Sequence, residues 1–323
     1  MIQKIVKNLS KYMLVYTLLV IILGIYASYT YSLSFLSNYI MPIVFLMIYP
    51  MMVNVSFESL KQIKKAHKSV LISLFLNFIL APLLYWVLCL IFHAPLNMEI
   101  ALILLSVAPA SSMGLGYVGL AKGDMIVASV IVALAFILSL FVYPTTIHIL
   151  NLGKNVVPIS QVINSLIFVL LLPLILGLIT REFIIEKNNK DFKTLKPYFS
   201  LITLVFLYIL IFVIFALKGQ LIIKHWENVV LISPIAIIYY TIMLLVAILF
   251  NKYIAKLDYS HNQSIVFTTV SKNVALTIGL LATIFGKEGH TMAMYPAIIS
   301  IFQIVFLMVY LHFSEQVRQW WES

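Results

Sequence analysis

Residues 263–286 read QSIVFTTVSKNVALTIGLLATIFG, an apolar run with a lysine, Lys272, near its middle. A helix needs about 20 mostly apolar residues to cross a hydrocarbon core roughly 30 Å thick. A charged side chain at the centre of such a helix costs about 2.5 to 3.5 kcal/mol on insertion scales, so it is expected to face other helices and to have a partner there. The stretch therefore predicts a membrane helix with a polar site inside a helical bundle.

The whole chain has the composition of an integral membrane protein. Of its 323 residues, 63% are hydrophobic and only 10% are charged, which lies outside the usual balance of a soluble domain. The apolar runs are continuous rather than alternating, which predicts helices and not barrel strands. We predict an all-α integral membrane protein with ten transmembrane helices. Their ranges are 12–31, 36–55, 69–92, 99–120, 125–149, 161–181, 198–217, 228–250, 263–286 and 291–313.

Lysine and arginine are distributed unequally between the two sides of these spans. The N-terminus, the loops after spans 2, 4, 6 and 8, and the C-terminus carry 16 of the 21 Lys and Arg residues. Because cytoplasmic loops hold an excess of these residues, both termini are predicted to be cytoplasmic, in a multi-pass protein of the plasma membrane. The net charge of +10 then belongs mostly to the inner face, where it contacts the lipid bilayer. It does not indicate a nucleic-acid partner.

Motifs for enzymatic or ATP-driven chemistry are absent from the sequence. Its single cysteine, Cys89, excludes an intrachain disulfide and a cluster of thiolate metal ligands. No Walker A, HExxH or GxSxG pattern occurs. We therefore expect no enzyme activity, no cofactor and no metal site, and any transport should be secondary.

The ten spans divide into two sets of five around the basic segment 181–196. Since five is odd, a second copy would enter the membrane from the opposite side and form an inverted repeat. We assign 1–180 to the first five-helix repeat, 181–196 to a cytoplasmic linker and 197–323 to the rest of the second repeat, whose first helix is at 161–181. Transporters of this build place their sites where corresponding helices are interrupted, and spans 4 and 9 correspond here.

The fourth span, within residues 100–124 (IALILLSVAPASSMGLGYVGLAKGD), has the features of a broken helix. Its proline removes a backbone donor and its glycines weaken the helix beyond that point. Serine hydroxyls can bind the freed backbone groups. The alternative is a proline-kinked packing helix whose small residues allow close approach of neighbours. The candidate site residues of this span are Pro109, Ser111, Ser112, Gly114 and Gly116.

The ninth span has a polar group at about the same depth, although it lacks a proline or glycine there. A shared binding site accounts for the polar groups of both spans. Gln303 in the tenth span is expected to form an interhelical hydrogen bond or to line the cavity. The candidate site residues outside the fourth span are Thr268, Thr269, Ser271, Lys272, Asn273 and, in the third span, Asn77.

Four segments resemble the bile acid:sodium symporter superfamily. They are YVGLAKGD at 117–124, KNVALTIGLL at 272–281, IYPMMVNVSFESL at 48–60 and NFILAP at 77–82. IYPMMV and LAKGD look closest to its arsenite-efflux permease, or arsenical-resistance, branch. The resemblance implies a panel domain of spans 1, 2, 6 and 7 and a core domain of spans 3 to 5 and 8 to 10. It also implies that spans 4 and 9 cross as broken helices, and that the two domains move relative to one another during transport.

The functional residues of the superfamily are only partly present. Sodium needs several oxygen ligands, and an ammonium about 4 Å away would repel it by roughly 4 kcal/mol at an effective dielectric of 20. The resemblance therefore implies transport without the standard sodium pair. In the arsenite branch, a cysteine and a glutamate are matched by Ala110 and Ala275. The family's sodium-ligand positions are matched by Gly114, Leu115, Ala128, Val132, Thr268, Lys272, Asn273 and Asn77.

Three roles for Lys272 remain open at this point. Its ammonium could brace the helix crossing in place of sodium, attract an anionic substrate, or release a proton and so couple transport to protons. The leading hypothesis is a secondary transporter of a small organic anion or related solute. The alternatives are an arsenite or antimonite efflux permease and a non-transporting membrane sensor.

Overall fold

The protein is described by a computed structural model that covers residues 2–54, 58–151, 159–186, 192–224 and 226–322. These residues are helical apart from short connections, and no β-strand occurs among them. Continuous helix is the expected outcome for apolar runs of this length, because every backbone N–H and C=O must find a partner without water. The all-α prediction is confirmed.

Seventeen α-helices occur in the described part of the chain, with short 3₁₀ and π turns between some of them. The helices are α1 Ile2–Lys11, α2 Met13–Thr30, α3 Ile40–Asn54, α4 Ile63–Phe75, α5 Ala81–Ile91, α6 Leu96–Ser106, α7 Ser112–Leu120, α8 Met125–Asn151, α9 Ile159–Leu166, α10 Leu172–Ile179, α11 Phe192–Lys224, α12 Trp226–Leu249, α13 Tyr259–Val270, α14 Val274–Ile284, α15 Gly286–Met292, α16 Met294–His312 and α17 Ser314–Glu322. The 3₁₀ turns are Ser34–Tyr39 and Glu58–Gln62, and the π turns are Leu76–Leu80, Ile167–Leu171, Thr180–Glu186 and Phe250–Ile254.

Eight helical segments of the described residues are long and apolar enough to cross a membrane. They coincide with eight of the ten predicted spans. The two others, 99–120 and 263–286, are each divided into shorter helices, α6 with α7 and α13 with α14. The eight segments are Met13–Thr30, Ser34–Asn54, Ala66–Ile91, Met125–Leu150, Val162–Glu182, Thr194–Lys224, Trp226–Ile254 and Gly286–His312.

The chain forms two compact units. Unit 1 comprises Met1–Asn54, Ile147–Val229 and Ala275–Ile301. Its helices approach closely at glycines: a Cβ on Gly24 would lie 2.8 Å from the Cβ of Phe215. Small residues at such contacts let helix backbones come together in an apolar solvent, where packing drives association.

Unit 2 comprises Val55–Thr146, Val230–Val274 and Phe302–Ser323, and it contains both helix breaks. Its π turn at Leu76–Leu80 precedes a proline near the start of α5. Pro82 cannot donate a backbone hydrogen bond. Just before it the helical hydrogen bonds span one residue more than in an α-helix, with Ala81 N bonded to Leu76 O. The widened turn carries the buried side chain of Asn77.

The LAKGD motif forms the turn from α7 to α8. Lys122 adopts a left-handed backbone with φ 58°. Asp124 ends the turn as a helix cap, because its Oδ1 accepts hydrogen bonds from the backbone N–H groups of Ile126, at 2.8 Å, and Val127, at 3.0 Å. The acidic residue of this motif therefore stabilises the start of α8.

Candidate functional site

The two helix breaks lie side by side and antiparallel. The backbone N–H of Ser111 donates to the carbonyl of Ser271, and that of Asn273 donates to the carbonyl of Pro109, each at 2.9 Å. These two bonds, between residues 109–111 and 271–273, are the backbone ladder of the site. The ladder satisfies peptide groups that a broken helix leaves unpaired at a depth where water is excluded.

The first break follows from local sequence. Helix α6 ends at Ser106, three residues before Pro109, which has no N–H to continue the helical bonds. Ser111 then caps α7, with its carbonyl 3.0 Å and its Oγ 3.4 Å from the N–H of Gly114. The Oγ atoms of Ser111 and Ser271 also lie 2.6 Å apart, so side chains reinforce the ladder.

The second break depends on a partner distant in the chain. The side-chain amide of Gln303 accepts from Lys272 N at 2.9 Å and donates to Lys272 O at 3.2 Å. Tyr240 donates its hydroxyl hydrogen to the same Oε1 at 3.3 Å. We call this arrangement the amide clamp of Gln303. It hydrogen-bonds both the backbone N–H and the backbone C=O of Lys272. This agrees with the interhelical hydrogen bond expected for Gln303.

The side chain of Lys272 is completely buried. Its Nζ donates to Oδ1 of Asn77 at 2.5 Å. Among the described residues, no carboxylate lies within ion-pair distance of this ammonium. An ammonium has three N–H donors, and a buried charge without an opposite charge is costly. When protonated, Lys272 is therefore a buried cation whose charge no described carboxylate neutralises.

A hydrogen-bonded chain orients Asn77 toward the ammonium. Its Nδ2 donates to Oγ of Ser73 at 3.3 Å, and that Oγ lies 3.2 Å from Oγ1 of Thr269. All three side chains are buried. Because the amide nitrogen is occupied by Ser73, the amide oxygen faces Lys272. The structure thus brings together four candidate residues of the third and ninth spans: Asn77, Thr269, Ser271 and Lys272.

The remaining candidates are placed differently. Thr268 is buried, but its hydroxyl donates to Ser264 O within α13 at 2.6 Å. Asn273 is almost fully buried, and its backbone belongs to the ladder. Gly116 is exposed and faces open space, away from these contacts. The side chain of Ser112 lies outside the described residues, although its backbone begins α7.

Gly114 packs closely against the ninth-span helix, and this close approach leads to a stability prediction. A Cβ at Gly114 would lie 3.0 Å from Phe267 O and 3.2 Å from the Cβ of Ser271, whereas one at Gly116 would meet nothing within 4 Å. We expect Gly114→Ala to destabilise the protein by about 1–3 kcal/mol through overpacking. Gly116→Ala should stabilise it by about 0.5–1 kcal/mol through helix propensity. Thermal unfolding in detergent measures both, and equal midpoints would refute the close contact.

Two residues that contact the site, Ser73 and Tyr240, were not among the candidates predicted from the sequence. Ser73 lies four residues before Asn77, so helical spacing alone could have placed it on the same face. Tyr240 had no such signal, because its link to the site is formed through Gln303. Long-range contacts of this kind cannot be read from local spacing.

A comparison with protein families identifies the group to which the chain belongs. Residues 41–225, more than half of the sequence, match the Sodium Bile acid symporter family. The chain belongs to this family. The sodium bile acid symporter family is a family of transporters and not of enzymes, so the chain is assigned to multi-pass membrane transporters.

Relatives within or near the family extend over most of the chain. The arsenical-resistance protein Acr3 of Alkaliphilus metalliredigens is 23% identical, over 86% of this chain and 81% of its own length. An uncharacterised transporter of Synechocystis sp. is 26% identical, over 82% and 75% respectively. The arsenical-resistance protein Acr3 of Corynebacterium glutamicum is 25% identical, over 74% and 68%. The chain is thus similar in sequence to transporters along most of their length.

The residues at the family's sodium-ligand positions do not fit sodium. Lys272, which the sequence resemblance matches to a glutamine ligand, has its Nζ against Asn77 Oδ1. Gly114 has no ligating side chain, and Thr268 has its hydroxyl bonded within its own helix. When Lys272 is protonated, a cation here would meet a positive charge instead of a shell of oxygens.

Proposed function

We propose that the protein is a secondary transporter of the plasma membrane that moves a small organic anion, or a related solute, by alternating access without the family's sodium pair. The observation that carries the proposal is the buried ammonium of Lys272, which has Asn77 as its partner and no described carboxylate nearby. At about 4 Å and an effective dielectric of 20, such a charge attracts an anion by roughly as much as it repels sodium, about 4 kcal/mol.

In this mechanism Lys272 supplies the positive charge that sodium supplies in coupled relatives. One of its three N–H donors is bonded to Asn77, and the other two can donate to a carboxylate of the cargo. Helices α7 and α14 both begin beside the backbone ladder, and helix N-termini favour anions. Lys272 can also release a proton when the cargo leaves, which would couple transport to protons.

The architecture that we propose has ten helices in two inverted repeats, with both termini cytoplasmic. Unit 1 contains nearly all of the predicted spans 1, 2, 6 and 7, and unit 2 contains spans 3 and 4 and nearly all of spans 5 and 8. This division supports the assignment of unit 1 to the panel domain and unit 2 to the core domain. Parts of spans 9 and 10 belong to each unit.

Transport by purified protein in liposomes tests the proposal. The panel contains short carboxylates, bile-type acids and arsenite, and the sodium and pH gradients are imposed separately. Because an ammonium replaces the ion, we expect uptake of an anion to change less than twofold when choline replaces sodium. Strong sodium stimulation would contradict the proposal, and stimulation of the unmodified protein by an imposed pH gradient would assign coupling to protons.

Metalloid efflux is the second candidate, and the names of two relatives favour it. The residues favour it less, since Ala110 and Ala275 stand where the arsenite branch has a cysteine and a glutamate. The single thiol, Cys89, is buried. Arsenite transport that survives Cys89→Ala would support this candidate by a thiol-free route. Folded protein that transports nothing in the panel would favour the sensor.

A further inference from the structure

A cavity lined by several charged residues lies within unit 2, away from Lys272. Its volume is about 610 Å³, and it is bounded by the turn after α7, the segment between α12 and α13, and α17. All three segments belong to the side predicted to be cytoplasmic. The residues that matter here are Lys122, Lys252, Lys256, Asp258, Arg318 and Glu322.

The lining of this cavity has a positive balance of charge, with four cations and two acids. Both acids are engaged locally. Asp258 caps α13, with Oδ1 2.8 Å from His261 N, and Glu322 pairs with Arg318 at 2.9 Å. Lys256 is exposed and has no ion pair among the described residues. Lys122 pairs with Glu315 at 3.5 Å. A ligand that enters this cavity therefore meets two ammonium groups, those of Lys252 and Lys256, that have no carboxylate partner among the described residues.

Left-handed backbone conformations occur at the same cavity. Lys122 and Lys256 adopt left-handed conformations, with φ 58° and 48°, and these are two of the three non-glycine residues of the described chain that do so. Both residues follow the end of a helix, where a left-handed residue commonly closes the last turn, and Gly123 N is bonded to Val118 O and Leu257 N to Asn251 O. These two turns place two lysines on one rim.

Apolar residues next to the cavity indicate its level in the membrane. Tyr253 is 58% exposed and Ile254 is 69% exposed, in the π turn that follows α12. The ring of Trp320 lies 3.9 Å from Lys252 Nζ, and Trp321 donates its indole N–H to Leu257 O at 2.9 Å. Tryptophan and tyrosine are enriched where headgroups meet hydrocarbon. An occupant here would have a charged head beside the lysines and apolar chains beside Tyr253 and Ile254.

We propose that this cavity binds the phosphate headgroup of an anionic phospholipid of the inner leaflet. Lys252 and Lys256 contact the phosphate, and the exposed face around Tyr253 and Ile254 contacts the acyl chains. Basic pockets on the cytoplasmic side bind such lipids by this combination of charge and apolar contact. The assignment to the inner leaflet rests on the proposed topology. The site itself does not require transport.

Lipid binding to the purified full-length protein in neutral detergent tests the proposal. The probes are phosphatidylglycerol and phosphatidylcholine with identical acyl chains, together with soluble glycerol phosphate. We expect phosphatidylglycerol to bind at least tenfold tighter than phosphatidylcholine. In the double variant Lys252→Gln, Lys256→Gln, the dissociation constant of phosphatidylglycerol should rise roughly 25-fold, because each lysine is expected to tighten binding about fivefold.

Two controls separate a specific site from a general effect of charge. Lys64→Gln removes one exposed cation from the first turn of α4, outside this cavity, and should change the dissociation constant less than twofold. The pair Lys252→Arg, Lys256→Arg preserves charge and should bind normally, which guards against misfolding. The proposal is overturned if Lys64→Gln weakens binding as much as the double variant, if glycerol phosphate binds as tightly as the lipid, or if headgroup charge has no effect.

Discussion

Replacement of Lys272 by methionine is expected to lower anion uptake about 100-fold while the protein remains folded. The variant removes the buried charge that we propose attracts the cargo, and a loss of ~3 kcal/mol corresponds to about that factor. Methionine retains much of the volume and relieves the cost of a charge in the membrane. It leaves Asn77 Oδ1 without the bond from Nζ, which costs about 1–3 kcal/mol. Initial uptake rates in liposomes and thermal unfolding in detergent measure the two effects.

Asn77→Asp is the matched variant for this prediction. It places a carboxylate opposite the ammonium, so the hydrogen bond is replaced by a buried ion pair and the charge of the site is compensated. We expect uptake to fall as in Lys272→Met, although the lysine is still present. If Lys272→Met instead transports normally but unfolds at a lower temperature, the ammonium only braces the crossing.

Replacement of Gln303 by methionine is expected to destabilise the protein by about 3 kcal/mol. The variant removes all three bonds of the amide clamp, to Lys272 N, Lys272 O and the hydroxyl of Tyr240. Each bond contributes about 1 kcal/mol net, and these groups are buried where water cannot replace the amide. A lower midpoint of thermal unfolding in detergent is the expected result.

Gln220→Met provides the comparison for Gln303→Met. Gln220 is exposed and donates one hydrogen bond, to Ser28 O at 2.6 Å, so its loss should cost no more than about 1 kcal/mol. Both substitutions are chemically identical, and they differ in burial and in the number of bonds removed. Equal shifts of the two midpoints would show that the clamp does not hold the ninth-span break.

The break in the fourth span could be predicted because its cause is local. Pro109 lacks a backbone donor, and this property is visible in the sequence. The break at Ser271 to Asn273 carries no such residue, and its peptide groups are satisfied by Pro109, Ser111 and Gln303, all distant in the chain. The polar cluster around Lys272 indicated a site, but only the fold could supply the partners that allow the helix to stop.

Two other features also depend on tertiary contacts that could not be predicted from the sequence. Gly114 and Gly116 are similar as sequence signals, yet one packs against α13 and the other faces open space. Residues after span 10 gave no sign that α17 would pack near the α12–α13 segment, where Trp321 bonds to Leu257 O. Composition predicts which residues lie in the membrane, whereas the contacts that define each site depend on tertiary packing.

The backbone ladder has a consequence for how the site can change. Its two bonds run between peptide groups, which every residue type other than proline at a donor position can provide. The side chain at position 272 can therefore be exchanged while the junction of the two breaks persists. A substitution at such a position would alter the charge beside the two breaks without rebuilding the scaffold. If Lys272 contacts the solute as we propose, the ladder is a suitable starting point for engineering transporters of altered selectivity.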